Sequence, residues 1–242
     1  MASHHHSLAV IDSGKRTSNE QMQHDADLLQ GTAHTVLRFY GWHNLACTYG
    51  YFIDPERWIR KELIDCARRP TGGGLIFHQD DFSFTVALTA QHPIAQLPVL
   101  DRYQAINNIV VKSIQTLLPE LDIQLQTGCL QDSIEEICMA HATKYDLMWQ
   151  GKKVGGAAQR KNRQVLLHQS SLILNEPAWS EIEKILVEPD AVLPHLQKTT
   201  GALCKRGEVA LTDFRQALKK HLEISLKKLL DEDFSLHRRE DQ

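Results

Sequence analysis

The sequence predicts a mixed α/β (α+β) domain, a mixed sheet with helices packed on it. Three patterns predict it. Phe82, Phe84, Val86 and Leu88 alternate with Ser83, Thr85, Ala87 and Thr89, the period of a strand. Tyr103, Ile106, Val110, Ile114 and Leu117 fall on one helical stripe. Beyond residue 175 the spacing turns helical again, first with Trp179, Ile182 and Leu186, then with Phe214, Leu218, Leu222, Leu226 and Leu229.

Composition narrows the class. A chain of 242 residues makes one large domain, or one with a small appendage. Hydrophobic content of 42% and charged content of 24% are ordinary for a globular protein in water. A net charge of −3 gives no broad footprint for nucleic acid. No apolar run approaches the roughly 18 residues a membrane span needs. The N-terminus lacks the basic-then-apolar pattern of an export signal. Five scattered cysteines make no disulfide framework and have no zinc-site spacing. Free thiols fit a reducing compartment, so the expectation is a cytoplasmic protein with no metal and no membrane or nucleic-acid partner.

In chain order, residues 1–17 read as a flexible N-terminal tail that includes His4, His5 and His6. Asn19 opens a helix carrying Met22, Ala26 and Leu29 inward. Residues 35–40 read as a strand, and residues 41–52 as a second strand or a pocket-lining loop. Pro55 after Asp54 opens a helix with Trp58, Ile59 and Leu63. Residues 75–77 and 82–89 are strands. Asp101 caps the long helix that Pro119 ends. Residues 146–149 and 152–154 form a hairpin about Gln150-Gly151. Residues 165–167 and 172–174 are a strand pair or one bent strand. Pro177 and Thr212 open the last two helices. One domain thus spans residues 18–232, with a polar tail over 233–242.

Three stretches carry possible chemistry. The first is Arg68-Arg69-Pro70-Thr71-Gly72-Gly73-Gly74-Leu75-Ile76-Phe77-His78. Three residues without a Cβ let the backbone curl around a bound group, and its amides with two guanidinium groups suit an anion. The bland alternative is a solvated turn. The second is Lys152-Lys153-Val154-Gly155-Gly156-Ala157-Ala158-Gln159. A lysine beside small residues can lie against a ligand and hold a carbonyl oxygen that gains charge; the alternative is a solvated basic hairpin. The third is Cys138, an acyl acceptor if its thiolate is exposed to a substrate, otherwise a buried apolar residue like Cys47, Cys66, Cys129 and Cys204.

Together these stretches resemble the lipoate–protein ligase and octanoyltransferase superfamily, which shares a catalytic fold with biotin–protein ligases. The glycine block is similar to the family's Arg-Arg-x-Ser/Thr-Gly-Gly loop. Lys153 stands at its catalytic lysine, and Val165-Leu166-Leu167-His168-Gln169-Ser170-Ser171-Leu172-Ile173-Leu174 resembles the strand that follows. Asn19-Glu20-Gln21-Met22-Gln23-His24-Asp25 is similar to the first helix. The resemblance covers roughly residues 17–230.

It implies an enzyme that attaches a lipoyl or octanoyl group to one lysine of a carrier (lipoyl) domain of 2-oxoacid dehydrogenases or the glycine cleavage system. Lys153 and Cys138 would be catalytic. Arg69, Thr71, Gly72, Gly73, Gly74, His78, Gly155, Gly156 and Ala157 would bind substrate. No resident cofactor is implied. The substrate is lipoate or an octanoyl donor on an acyl carrier, with ATP and Mg if the chain is a ligase. Cys138 lies 15 residues before Lys153, which resembles one transferase branch and favours a cysteine thioester. Three glycines before Phe77-His78 look more ligase-like, and Tyr145-Asp146 replaces the ligases' Asn-Asp. His168-Gln169 is reversed relative to the transferase pattern. A lipoyl-adenylate ligase and a non-catalytic lipoyl-domain or acyl-ligand binding module stay open as alternatives.

Overall fold

The structure, a computed structural model, describes residues 7–128, 134–204 and 211–231. Cys129 and the expected C-terminal tail lie outside the described residues. In chain order the elements are β1 (Leu8–Arg16), α1 (Ser18–Gln30), β2 (Thr35–Trp42), β3 (Ala46–Tyr49), β4 (Asp65–Arg68), β5 (Ile76–His78), β6 (Phe82–Thr89), α2 (Pro93–Gln96), α3 (Val99–Leu117), β7 (Gln124–Leu125), β8 (Leu147–Trp149), β9 (Lys152–Lys161), β10 (Val165–Leu172), α4 (Trp179–Ile185), α5 (Pro189–Thr199) and α6 (Leu211–Asp231). Seven strands form one sheet in the order β1-β2-β6-β10-β9-β8-β7, and three form a second in the order β4-β3-β5.

Residues 8–16 were expected to be tail, yet they form the edge strand β1, parallel to β2 from Leu8↔Thr35 to Arg16↔Trp42. Parallel neighbours need a crossover, and α1 supplies it. Its N-cap is Thr17 rather than Asn19: the Thr17 amide donates to Glu20 Oε2 at 3.0 Å and the Glu20 amide to Thr17 Oγ1 at 3.4 Å, a reciprocal capping box.

The alternation over residues 82–89 becomes β6, antiparallel to β2 and β10. Phe82, Phe84, Val86 and Leu88 pack with α3 and α6 in the main core. Ser83, Thr85 and Ala87 face the other way, where α1 and the small sheet lie. The stripe of α3 holds, although the helix starts at Val99 rather than at Asp101.

The helix expected after Pro55 does not form. Two short 3-10 turns, Pro55–Arg57 and Lys61–Leu63, flank Ile59, which instead bridges to Leu186. Trp58, Ile59 and Leu186 thereby join a second core between the small sheet, α4 and α5. The expected hairpin forms, with Gln150 at φ +49° and Gly151 at φ +75°, the paired positive values of a type I′ turn. Its second strand runs on to Lys161, and residues 165–172 are one continuous strand.

Candidate active site

A narrow slot with a cavity volume of about 50 Å³ lies between the two sheets. Its floor comes from β2, β6, β9 and β10, its roof from β3, β5 and the glycine loop, and α1 contributes Met22 at one side. Apolar surface from Met22, Trp42, Ile76 and Ala158 meets a wall of hydroxyl and amide side chains.

Lys153 lies behind Cys138 and Gly156, two residues that line the slot, by way of a bulge. The β8–β9 register runs from Leu147↔Gly155 to Met148↔Lys153, so one extra residue, Val154, is inserted. A bulge re-aims the side chains that flank it. Val154 turns into the main core, while Lys153 comes to the same side as Gly156. A Cβ on Gly156 would lie 2.9 Å from Lys153 Cε and 3.2 Å from its Nζ.

The Lys153 ammonium is buried and donates to Asp146 Oδ2 at 2.7 Å, to Cys138 O at 2.9 Å and to His141 O at 3.1 Å. Cys138 Sγ lies 3.3 Å away, a fourth acceptor for three N–H groups. Burial alone would depress the lysine's pKa. The Asp146 carboxylate and the Cys138 sulfur outweigh it, and the net shift is upward. Lys153 is therefore a fixed cation near neutral pH, not a base. Asp146 Oδ2 is held by the Thr143 amide at 2.8 Å and hydroxyl at 3.1 Å.

Cys138 begins a short 3-10 turn and is half-buried at the slot. Its segment is pinned to the glycine loop: the Leu75 amide donates to Glu136 O at 2.7 Å and the Cys138 amide to Leu75 O at 2.8 Å. Gly73, at φ +86°, touches the slot. Gly50 lies so close that a Cβ there would sit 1.8 Å from Gly73 O.

The arginines behave differently from the anion cradle the sequence suggests. Arg69 is buried, and its two terminal nitrogens donate to Thr48 O, Thr48 Oγ1, Gly72 O and Gly74 O at 2.7–3.0 Å. It is a strut that holds the curl. Arg68 is exposed and stacks over Tyr51, 4.8 Å from the ring centre. Thr71 is buried and donates to Gln169 Oε1 at 2.6 Å.

His78 lies in the slot wall, stacked on Trp42 at 4.1 Å. Its Nδ1 contacts Asp81 Oδ2 at 2.7 Å and its Nε2 contacts Thr48 Oγ1 at 2.7 Å. Ser83 and Ser171 also donate to Asp81 Oδ2. Burial raises the Asp81 pKa, but His78 and these donors offset it, and the carboxyl ends below its ordinary value. His78, Ser83 and Ser171 are thus all held by one buried carboxylate oxygen, Asp81 Oδ2.

Gly156 and Ala157 line the slot, whereas Gly155 faces the core, where a Cβ would lie 2.6 Å from Leu172 Cδ2. His168 also lies away from the slot, beside Phe84 and Tyr103, with Nδ1 2.9 Å from Gln159 Nε2. Sequence reasoning missed Asp81 in this region; Trp42 entered only within the possible pocket-lining loop of residues 41–52, and Gln169 only within the block that resembles the family's strand. Asp146 was visible only as half of the Tyr145-Asp146 pair.

A slot with an apolar side, next to a buried cation and a thiol, is a pocket of the kind that suits a small, largely apolar ligand. The family model for the lipoyl protein ligase A/B catalytic domain matches residues 18–237, and the chain belongs to that family. The chain is similar to an octanoyltransferase LipM of Halalkalibacterium halodurans, 28% identical over 181 residues, or 68% of this chain and 65% of the relative. It is also similar to octanoyltransferase LipM of Bacillus subtilis, 24% identical over 239 residues, or 89% and 85% of the two chains. The match thus spans just under two thirds of the first relative's length.

Among solved structures, the fold resembles a lipoate-protein ligase A bound with ATP, with a TM-score of 0.68 at 21% identity, covering 93% and 91% of the two chains. It also resembles a bipartite lipoate protein ligase from Thermoplasma acidophilum, described with its E2 lipoyl domain. There the TM-score is 0.71 at 18% identity, covering 94% and 91%. No helix among the described residues is long and apolar enough to cross a membrane.

Proposed function

We propose that this chain moves an octanoyl group onto a lysine of a lipoyl domain, through a thioester on Cys138. The observation that carries the reading is the 3.3 Å approach of Cys138 Sγ to the Lys153 ammonium at the slot. The relatives named octanoyltransferase LipM support it.

The Cys138 sulfur attacks the carbonyl carbon of an octanoyl thioester, whose apolar tail lies against Met22, Trp42 and Ile76. The carbonyl oxygen gains charge, and the Lys153 ammonium holds it by turning to it an N–H that the free protein gives to Cys138 O or His141 O. Among the described residues the amide of Gly73, the loop glycine that lines the slot, donates to no backbone acceptor, which leaves it for the same oxygen. The donor's thiol leaves with a proton. The neutral amine of the acceptor lysine then attacks the thioester, an amide forms, and Cys138 is released as a thiol. Lipoyl domains of 2-oxoacid dehydrogenases and the glycine cleavage system are the acceptors in this reading, and an acyl carrier protein is the donor.

Incubation with octanoyl carrier protein, followed by mass spectrometry, should show one octanoyl adduct on Cys138 that disappears when a lipoyl domain is added. Full turnover by Cys138→Ser would remove the cysteine route. A second reading is favoured by the likeness to a ligase structure holding ATP. In it the slot holds lipoate, ATP and Mg yield an adenylate, and Cys138 only packs. ATP-dependent lipoylation that survives Cys138→Ser would mark that route.

A further inference from the structure

A chain of buried polar contacts crosses the slot wall from the glycine loop to α1. Thr71 Oγ1 donates to Gln169 Oε1 at 2.6 Å, and Gln169 Nε2 donates to Asp25 Oδ2 at 2.5 Å. Asp25 is anchored in turn: Arg38 Nε and a terminal nitrogen reach its Oδ1 at 3.1 and 2.8 Å, and Thr85 Oγ1 reaches its Oδ2 at 2.9 Å. Thr71, Gln169, Asp25 and Arg38 are all buried, at 0%, 4%, 0% and 1% exposure.

The amide of Gln169 has one workable orientation here. A carboxylate only accepts, so the NH₂ end faces Asp25 and the oxygen faces Thr71. Gln169 therefore joins two groups that cannot join each other across the floor of the slot. The loop it grips is the one whose next three residues curl beside Cys138. Arg69 fixes the carbonyl side of that curl through Gly72 O and Gly74 O. Among the described residues two side-chain bonds tie the loop to the large sheet: the buried Thr71 hydroxyl on Gln169, and an exposed one from an Arg160 terminal nitrogen on β9 to Pro70 O at 2.9 Å.

We infer that Gln169 is a positioning residue for acyl transfer: it holds Thr71, and through it the curl of Gly72, Gly73 and Gly74, at a fixed distance from Cys138 and Lys153. The buried Asp25–Arg38 ion pair is the anchor. Thr71 does not line the slot, so its loss lowers the rate of acylation and leaves the grip on the acyl tail, whereas Gln169 lines the slot beside Met22 and its loss can touch both. The inference rests on the transfer reading for its kinetic arm, but not for its structural arm.

Two variants test it. Gln169→Leu cuts both contacts, and Thr71→Val cuts only the loop side while leaving Gln169 on Asp25. In single-turnover acylation of Cys138 by an octanoyl thioester, each variant should lose on the order of 100-fold in maximal rate, and in Thr71→Val, which lies outside the slot lining, the half-saturating donor concentration should stay within about twofold of wild type. Thr71→Ser, which keeps the hydroxyl, should return to within about threefold of wild type. The double variant should be no slower than the worse single one by more than about twofold, because both remove one contact chain. Hydrogen exchange of the peptide over residues 69–75 should quicken in both variants while that of β6 stays unchanged.

Independent, multiplying losses would overturn the inference, and so would a rate left intact in Thr71→Val. Unchanged exchange over residues 69–75 would overturn it even if wild type formed no adduct on Cys138. That last outcome would sink the transfer reading alone, and the exchange data would still decide the relay.

Discussion

The Lys153 ammonium lies 3.3 Å from the Cys138 sulfur and 2.7 Å from Asp146 Oδ2, at 4% and 5% side-chain exposure for the ion pair. One buried cation thus lies against a carboxylate and a thiol at once. Asp146 keeps the lysine charged and aimed, while its other two N–H groups go to Cys138 O and His141 O, so the thiol meets the ammonium as a nearby cation rather than through a donor of its own.

Asp146→Asn should separate these roles. It leaves a buried ammonium without a counter-charge, and stability should fall by about 3 kcal/mol, read as a lower urea midpoint. The pKa of Lys153 is shifted upward from 10.5 in the folded state. The pair's contribution is thus fully present below that ordinary value and fades as pH climbs through the folded one. The gap between variant and wild type should stay constant around neutral pH and narrow only in alkali beyond 10.5. Lys153→Ala should lose on the order of 100-fold or more in transfer, since it removes the main cation facing the carbonyl.

Gly156→Ala tests how closely the lysine is fitted. The added methyl would lie 2.9 Å from Asp146 Oδ1 and 3.2 Å from Lys153 Nζ, so the ion pair must shift. Transfer should drop about tenfold or more with a small change in Tm. Gly151→Ala gives the opposite signature. Its Cβ meets nothing within 4 Å, but φ is +75°. It should cost about 1 kcal/mol of stability and leave transfer intact.

Cys138 and Lys153 were paired only through their resemblance to one transferase branch, and the structure brings them within 3.3 Å of each other. The alternation at β6 and the stripe of α3 were legible because each buries one clean apolar face. β1 was not, because only Leu8 and Ala9 pack against core clusters while Val10 and Ile11 stay 41% exposed. The turns around Ile59 looked helical because Trp58, Ile59 and Leu63 have helical spacing, but Ile59 is claimed by Leu186 far along the chain. Arg69 read as a ligand-binding cation since a sequence cannot show that four protein oxygens already surround a guanidinium. Gln169 and Asp25 were invisible as partners for the same reason: 144 residues separate them.

Tyr145 adopts φ +71°, a left-handed conformation that bulky residues rarely hold. It places Asp146 under Lys153, and Asn107 Nδ2 donates to Tyr145 O at 2.8 Å to keep it there. Asn tolerates this region far better than Tyr. Tyr145→Asn should therefore raise stability by about 0.5 kcal/mol and keep transfer within about twofold. Tyr145→Ala retains the strain and loses the ring, so it should not gain. Urea midpoints of the two variants side by side make the comparison.

His168 sets the acid limb of stability. It is fully buried on the core side of β10, and burial pushes its pKa down from 6.5 to about 3. In the unfolded chain it takes up a proton near the ordinary value, while the folded protein refuses one until far lower pH. Between those two values the unfolded state binds more protons, so stability falls as pH falls, by up to about 1.4 kcal/mol per pH unit from this one group. Above 6.5 the histidine is neutral in both states and contributes no slope. His168→Gln removes the titration and keeps a polar partner for Gln159. Its stability at pH 7 should be equal to or below that of wild type, but the decline between pH 6.5 and 4 should be visibly shallower. Parallel acid limbs for the two proteins would mean that His168 is protonated inside the fold, and that the Gln159 contact then bridges two donors.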